Sequence, residues 1–168
     1  MNTVPTKMVS RVRRDTRYTH DKHLYRENMW IMFMRPKKEW RMYPCMWFEV
    51  TPSAWSCGVG TFETSADYME VFREHLRNDP QGFKKAARSA LGTGAVLDAE
   101  CYKRPKPGCP AGLEDFYNAK YFYFIFSSDE LSAIESDEII TRLEGIYKKF
   151  APMYKFLRDV SDDYFKTH

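Results

Sequence analysis

No Cys-x-x-Cys pair occurs among the four cysteines, Cys45, Cys57, Cys101 and Cys109, which removes the commonest zinc and redox spacings. Residues 1–9 hold no apolar segment of the kind a secretory leader carries. The thiols are therefore read as reduced, and no disulfide framework is expected. No run approaches the roughly 18 apolar residues of a membrane span. Glycine is scarce, 8 in 168 residues, and no glycine-rich turn joins strand to helix in a βαβ series, which argues against a Rossmann or P-loop site. Internal repeats and low-complexity linkers are also missing. The net charge is only +3, with 26 basic against 23 acidic residues, too little to draw nucleic acid to the whole surface. These absences lead to a cytoplasmic protein with no metal site, no cofactor and no membrane partner.

What is present suits one sizeable core. Hydrophobic residues make up 43% and charged residues 29%, and a high aromatic share, 16%, stands beside 9 methionines. Large flat and flexible side chains in that proportion fill a core or line a ligand cleft. The charge is unevenly spread: residues 11–41 are strongly basic and residues 129–144 lean acidic.

The pattern predicts a strand at MVSRVRR that runs on into the basic stretch, and a buried strand at ENMWIMFM. CMWFEVT and WSCGVGTF form a hairpin across Pro52-Ser53-Ala54. A helix follows with Thr64 as N-cap and Asp67 three residues on; Tyr68, Val71, Phe72 and Leu76 make its apolar stripe, with His75 at the edge. Asn78-Asp79-Pro80 ends it, and QGFKKAARSAL makes a second helix closed by Gly92 and Gly94. VLDAECY reads as a strand leading into a rigid basic loop, residues 103–108. KYFYFIFS is the most strand-like segment, and its apolar continuity predicts burial on both faces. Ser127 with Glu130 makes a capping-box pattern. Ser136 caps a last helix with Ile139, Ile140, Leu143, Ile146, Tyr147 and Phe150 inward, and Pro152 kinks or breaks it. The expected architecture is α+β, a mixed or antiparallel sheet packed with helices, as a single domain over residues 1–168.

The densest chemistry is RVRRDTRYTHDKHLYR, residues 11–26. Continued as a strand to Tyr18, it sets Arg13, Asp15 and Arg17 on one face. Asp15 between two arginines is held ionised and fixes their guanidinium forks for a bidentate anion. A helical turn over residues 21–26 brings Asp21 near Tyr25 and Lys22 near Arg26. The competing reading of the same residues is an architectural ion-pair network. His20 and His23 form an H-x-x-H pair, a weak signal without a second pair of ligands. Gly58-x-Gly60 inside a strand signals a bulge, or the close approach of another backbone or a ligand. Lys103-Arg104 is a second electrostatic wall or a solvated loop.

These motifs resemble a known family in series. RDTRYTHDKHLYR is similar to the arginine-aspartate-x-arginine-aromatic signature of the family called domain of unknown function 2461, found in bacteria and fungi. MWFEVTPSAWSCGVGTF resembles its strand pair with Gly-x-Gly, YKRPKPG its basic proline loop, and KKFAPMYKFL its closing helix, so the resemblance covers about residues 9–157. It implies site positions at Arg14, Asp15, Arg17, Tyr18, Asp21, Lys22 and Tyr25. Leu24 stands where the family has proline, Arg26 where it has lysine, and Lys106 replaces a proline in the second loop. Members carry a helical segment before the first strand, whereas only residues 1–8 precede it here. An apolar patch near Val9 and Val12 is the expected consequence. The family's activity is unassigned, so the resemblance supplies a fold and positions, not a reaction.

The reading that follows is a protein binding a small anionic ligand, phosphate- or carboxylate-bearing, in a basic aromatic cleft. Arg14, Arg17, Lys22 and Arg26 are its contacts, Asp15 and Asp21 their orienters, and Gly58, Gly60, Lys103 and Arg104 complete the site. If a reaction occurs, Asp21 or Tyr25 transfers the proton. Two alternatives stand beside it. One is nucleic-acid binding, with Trp30, Trp40, Trp47 and Trp55 stacking on bases. The other is a structural or partner-binding domain with an architectural charge cluster. Oligomeric state is left open.

Overall fold

Two-residue periodicity divides the sheet into a face that carries the core and a face left open by the helices. The structure, a computed structural model, describes residues 4–15, 17, 18, 23–36 and 40–167. Its sheet is antiparallel throughout, in the order β1-β2-β3-β5-β4. The strands are β1 Met29–Phe33, β2 Pro44–Val50, β3 Trp55–Thr61, β4 Val96–Cys101 and β5 Ala119–Ser128. The helices are α1 Pro5–Met8, α2 Ala66–Asn78, α3 Pro80–Leu91, α4 Glu114–Tyr117 and α5 Glu138–Thr167. The fold is α+β.

Register pairs Val50 with Trp55, Phe48 with Cys57 and Met46 with Val59. Cys57 and Val59 pair in turn with Phe126 and Phe124 on β5. Directly paired residues share a face, and this one is covered by α2, α3 and α5. Phe72, Leu76, Phe83, Phe150 and Met153 fill it beside Trp55, Val59 and Phe124, all buried. Each such side chain contributes roughly 1.5–3 kcal/mol by leaving water. One charged residue is sunk among them. Arg73 is 1% exposed, and its guanidinium donates to Tyr117 O at 2.8 Å, Ala119 O at 3.1 Å and Glu70 Oε1 at 2.9 Å.

Several local expectations are corrected. Ser65, not Thr64, caps α2, accepting from Tyr68 N at 3.0 Å; the Thr64 hydroxyl donates instead to Lys120 O. Asp79 ends α2 and also caps α3, whose first residue is Pro80. Ser127 remains in β5 opposite Ser56, so no capping box forms; Ser128 Oγ accepts from Glu130 N. Pro152 does not break α5, a helix of 30 residues. It lies at an exposed position, and Lys148 one turn back is exposed as well, so the ring meets no packed neighbour there. Ile140, expected inside, is 56% exposed. β5 is buried on one face only, through Ala119, Phe122 and Phe124. Its apolar continuity reflects a second face that lines a cavity. Val9 and Val12, near which an apolar patch is expected, are 41% and 57% exposed and alternate with the exposed Arg11 and Arg13.

Candidate functional site

The segment before β1 folds back along that strand as an irregular antiparallel ribbon. Val9 bridges Ile31 and Arg13 bridges Tyr25. Ser10 N donates to Trp30 O at 2.8 Å, Arg26 N to Val12 O at 2.9 Å and Arg14 N to Leu24 O at 2.9 Å. Ser10 Oγ accepts from Trp30 N at 3.0 Å, adding a side-chain tie. The strand expected from Met8 to Tyr18 does not form among the described residues: Met8 closes α1, Val9 and Arg13 make only isolated bridges, and Arg17-Tyr18 lie in a turn. The helical turn expected over residues 21–26 is not seen at its described end, because Tyr25 is in a bridge. Asp21, Lys22 and His20 lie outside the described residues.

The ribbon borders a cleft of about 710 Å³ on the sheet face away from the helices. Its basic wall is Lys7, Arg11, Arg13, Arg14, Arg17 and Arg26, against the single acid Asp15. Trp30, Met32 and Met34 are its apolar wall, set on one face by alternation along β1. The Arg26 guanidinium carbon sits 4.6 Å from the Trp30 ring centroid, a stacking distance. Arg26 Nε is buried and has no hydrogen-bond partner among the described residues. Of the expected contacts, Arg14, Asp15, Arg17 and Arg26 come together here. The Tyr25 ring is 66% exposed and does not line the cleft.

Arg17 and Asp15 meet fork to carboxylate, Nε to Oδ1 at 2.9 Å and a terminal nitrogen to Oδ2 at 2.6 Å. Arg17 N also donates to Oδ1 at 3.2 Å. The Arg17 hydrogen bonds hold the Asp15 carboxyl down at about 2, with the Arg11 charge assisting. A depressed carboxyl adds stability above its unfolded value and loses it as pH falls through the folded one. The small contribution of this exposed pair therefore fades between about pH 4 and pH 2. A carboxyl-resolved NMR titration is expected to place the Asp15 midpoint near 2 in the wild type. In Arg17→Ala it returns toward 3.8 while the protein stays folded. An unfolded Arg17→Ala would mean that the pair is architectural.

The other expected site residues lie elsewhere. Lys103 and Arg104 follow β4, at the opposite edge of the sheet from β1 and the ribbon, and are exposed. Gly58 and Gly60 sit in an unbroken register with no bulge. A Cβ on Gly58 would stand 2.2 Å from Trp47 Cζ2 and 2.7 Å from Phe124 O. One on Gly60 would stand 2.3 Å from Tyr123 Cδ1. The glycines are therefore seats for two aromatic rings, which meet edge to face at 5.7 Å. Trp55 is buried, its indole donating to Glu130 O at 3.1 Å, and is not available for base stacking. Trp30 and Trp47 are half-buried on the open face; the Trp40 side chain lies outside the description.

That open face holds a second cavity, about 560 Å³, lined by Trp30, Met32, Cys45, Trp47, Phe62 and Tyr123 with Glu49, Asp98 and Ile125. The sequence reading passed over most of these residues. The signal lay in the parity of Trp30, Met32 and Met34, which a reading of one continuous buried run erased. Burial pushes the Cys45 and Cys57 thiols up to about 12, so neither is a ready nucleophile. Among the described residues no three His, Cys, Asp or Glu side chains come together to hold a metal ion, and no helix is long and apolar enough to cross a membrane.

A family model described as "Conserved hypothetical protein (DUF2461)" matches residues 1–156. No curated protein and no solved structure matches the chain.

Proposed function

The chain belongs to the conserved hypothetical protein family DUF2461, and on that premise we propose that it binds a small anionic ligand, phosphate- or carboxylate-bearing, in the cleft between the basic ribbon and β1. The observation that carries this reading is the cleft wall itself: six basic side chains and one acid around about 710 Å³, a volume in the range of small-molecule sites. Walls of one sign focus an anion, and arginine forks match the planar geometry of carboxylate and phosphate oxygens. Arg11 and Arg13 make no ion pair with other described residues and are the natural contacts. Arg17 is the exception, since its fork already grips Asp15 and is not open to a second carboxylate or phosphate. Nucleic-acid binding draws less support, because burial of Trp55 removes one of its stacking platforms.

A thermal-shift screen of phosphate esters, nucleotides and carboxylates tests the reading. At least one anion class is expected to raise the melting temperature by a few degrees when present at about 100 times its dissociation constant. Failure of every anion to shift it would leave the architectural account standing.

A further inference from the structure

The basic cleft and the aromatic cavity share a wall. Trp30 and Met32 line both, and no strand separates them. From β1 the cavity runs across β2 and β3 to Tyr123 and Ile125 on β5, three strand spacings or roughly 14 Å. Its floor is built for this. Side chains on β3 would block the passage, but that strand offers Gly58 and Gly60, over which Trp47 and Tyr123 lean from the two sides.

Resting on the anion-site reading above, we infer that the ligand is an amphipathic anion: a phosphate or carboxylate head in the arginine cleft, joined to an aromatic body that lies over Trp47 and Tyr123. The charge on the face fixes the orientation. Arginines and a lysine crowd the β1 edge. Glu49, which accepts from Asn28 Nδ2 at 2.6 Å, and Asp98 stand in the cavity. An anionic head is repelled from the carboxylates and drawn to the ribbon, so the apolar body takes the aromatic end. Arg26 links the two halves, because its guanidinium lines the cleft while stacking on Trp30. Aromatic bodies suit the lining, since rings meet rings favourably edge to face or offset.

Calorimetric titration with 1-naphthyl phosphate, 1-naphthoate, inorganic phosphate and 1-naphthol separates the contributions. A naphthyl anion is expected to bind roughly tenfold or more tighter than inorganic phosphate, from the added apolar burial. Trp47→Leu removes that advantage and leaves inorganic phosphate unchanged. The comparison among probes uses wild-type protein alone, so it stands even if that variant folds poorly. If inorganic phosphate binds and neither naphthyl anion binds tighter, the inference fails and the anion site survives. If 1-naphthol binds as tightly as the naphthyl anions, the head contributes nothing and the inference again fails. Should no anion bind, both readings fall together.

Discussion

Arg73→Met is expected to lower the unfolding free energy by about 2–6 kcal/mol, the cost of leaving two buried carbonyls without their donor. Arg73 ties α2 to the start of β5 through two carbonyls, Tyr117 O and Ala119 O. Methionine fills much of the same space but donates nothing. Each carbonyl left buried and unpaired costs roughly 1–3 kcal/mol, and the Glu70 carboxylate loses one of its two partners, keeping Lys106 at 3.4 Å. Chemical denaturation measures the loss directly, and thermal melting should register it as a fall on the order of 10 °C. A change below about 1 kcal/mol would mean that water replaces the guanidinium, and that its burial is incidental.

The second large effect belongs to Gly58→Ala. One methyl group must displace the Trp47 ring and then still meets Phe124 O, a backbone atom of the neighbouring strand. Overpacking of this kind costs about 1–3 kcal/mol. Loss of stability should come with a changed tryptophan emission spectrum as Trp47 leaves its seat. In α5, Gly145→Ala is the control, because a Cβ there meets nothing within 4 Å. A helix-interior glycine replaced by alanine is expected to gain roughly 0.5–1 kcal/mol. Equal effects at the two positions would show that the close approach over Gly58 is tolerated.

The sequence made the sheet legible where alternation was strict. The β2–β3 hairpin, the α2 and α3 helices and the last helix all follow from spacing and turn residues. It failed where one local cue had two physical origins. The unbroken apolar run of β5 signalled two buried faces. One of those faces lines a cavity, and water-facing aromatics look the same as core aromatics in a sequence. Gly58-x-Gly60 signalled a bulge or the close approach of a backbone or a ligand, but the register is unbroken and the approaching group is a pair of rings carried by β2 and β5, which no local pattern identifies. Arg73 carries no local signal of its burial, because its carbonyl partners lie 44 and 46 positions away. Among the candidate site residues, Arg14, Asp15, Arg17 and Arg26, which line the cleft, were legible as a motif. Lys103 and Arg104 were attached to them by charge alone, and topology puts them at the other sheet edge.

The central claim is that anions bind between the ribbon and β1. The most direct test is the anion-induced rise in melting temperature measured on three proteins: wild type, Arg11→Gln/Arg13→Gln and Lys103→Gln/Arg104→Gln. All three are expected to fold, since these side chains are exposed. The rise should vanish in the first variant and persist unchanged in the second. A rise that survives loss of Arg11 and Arg13, or disappears with Lys103 and Arg104, would contradict the placement of the site.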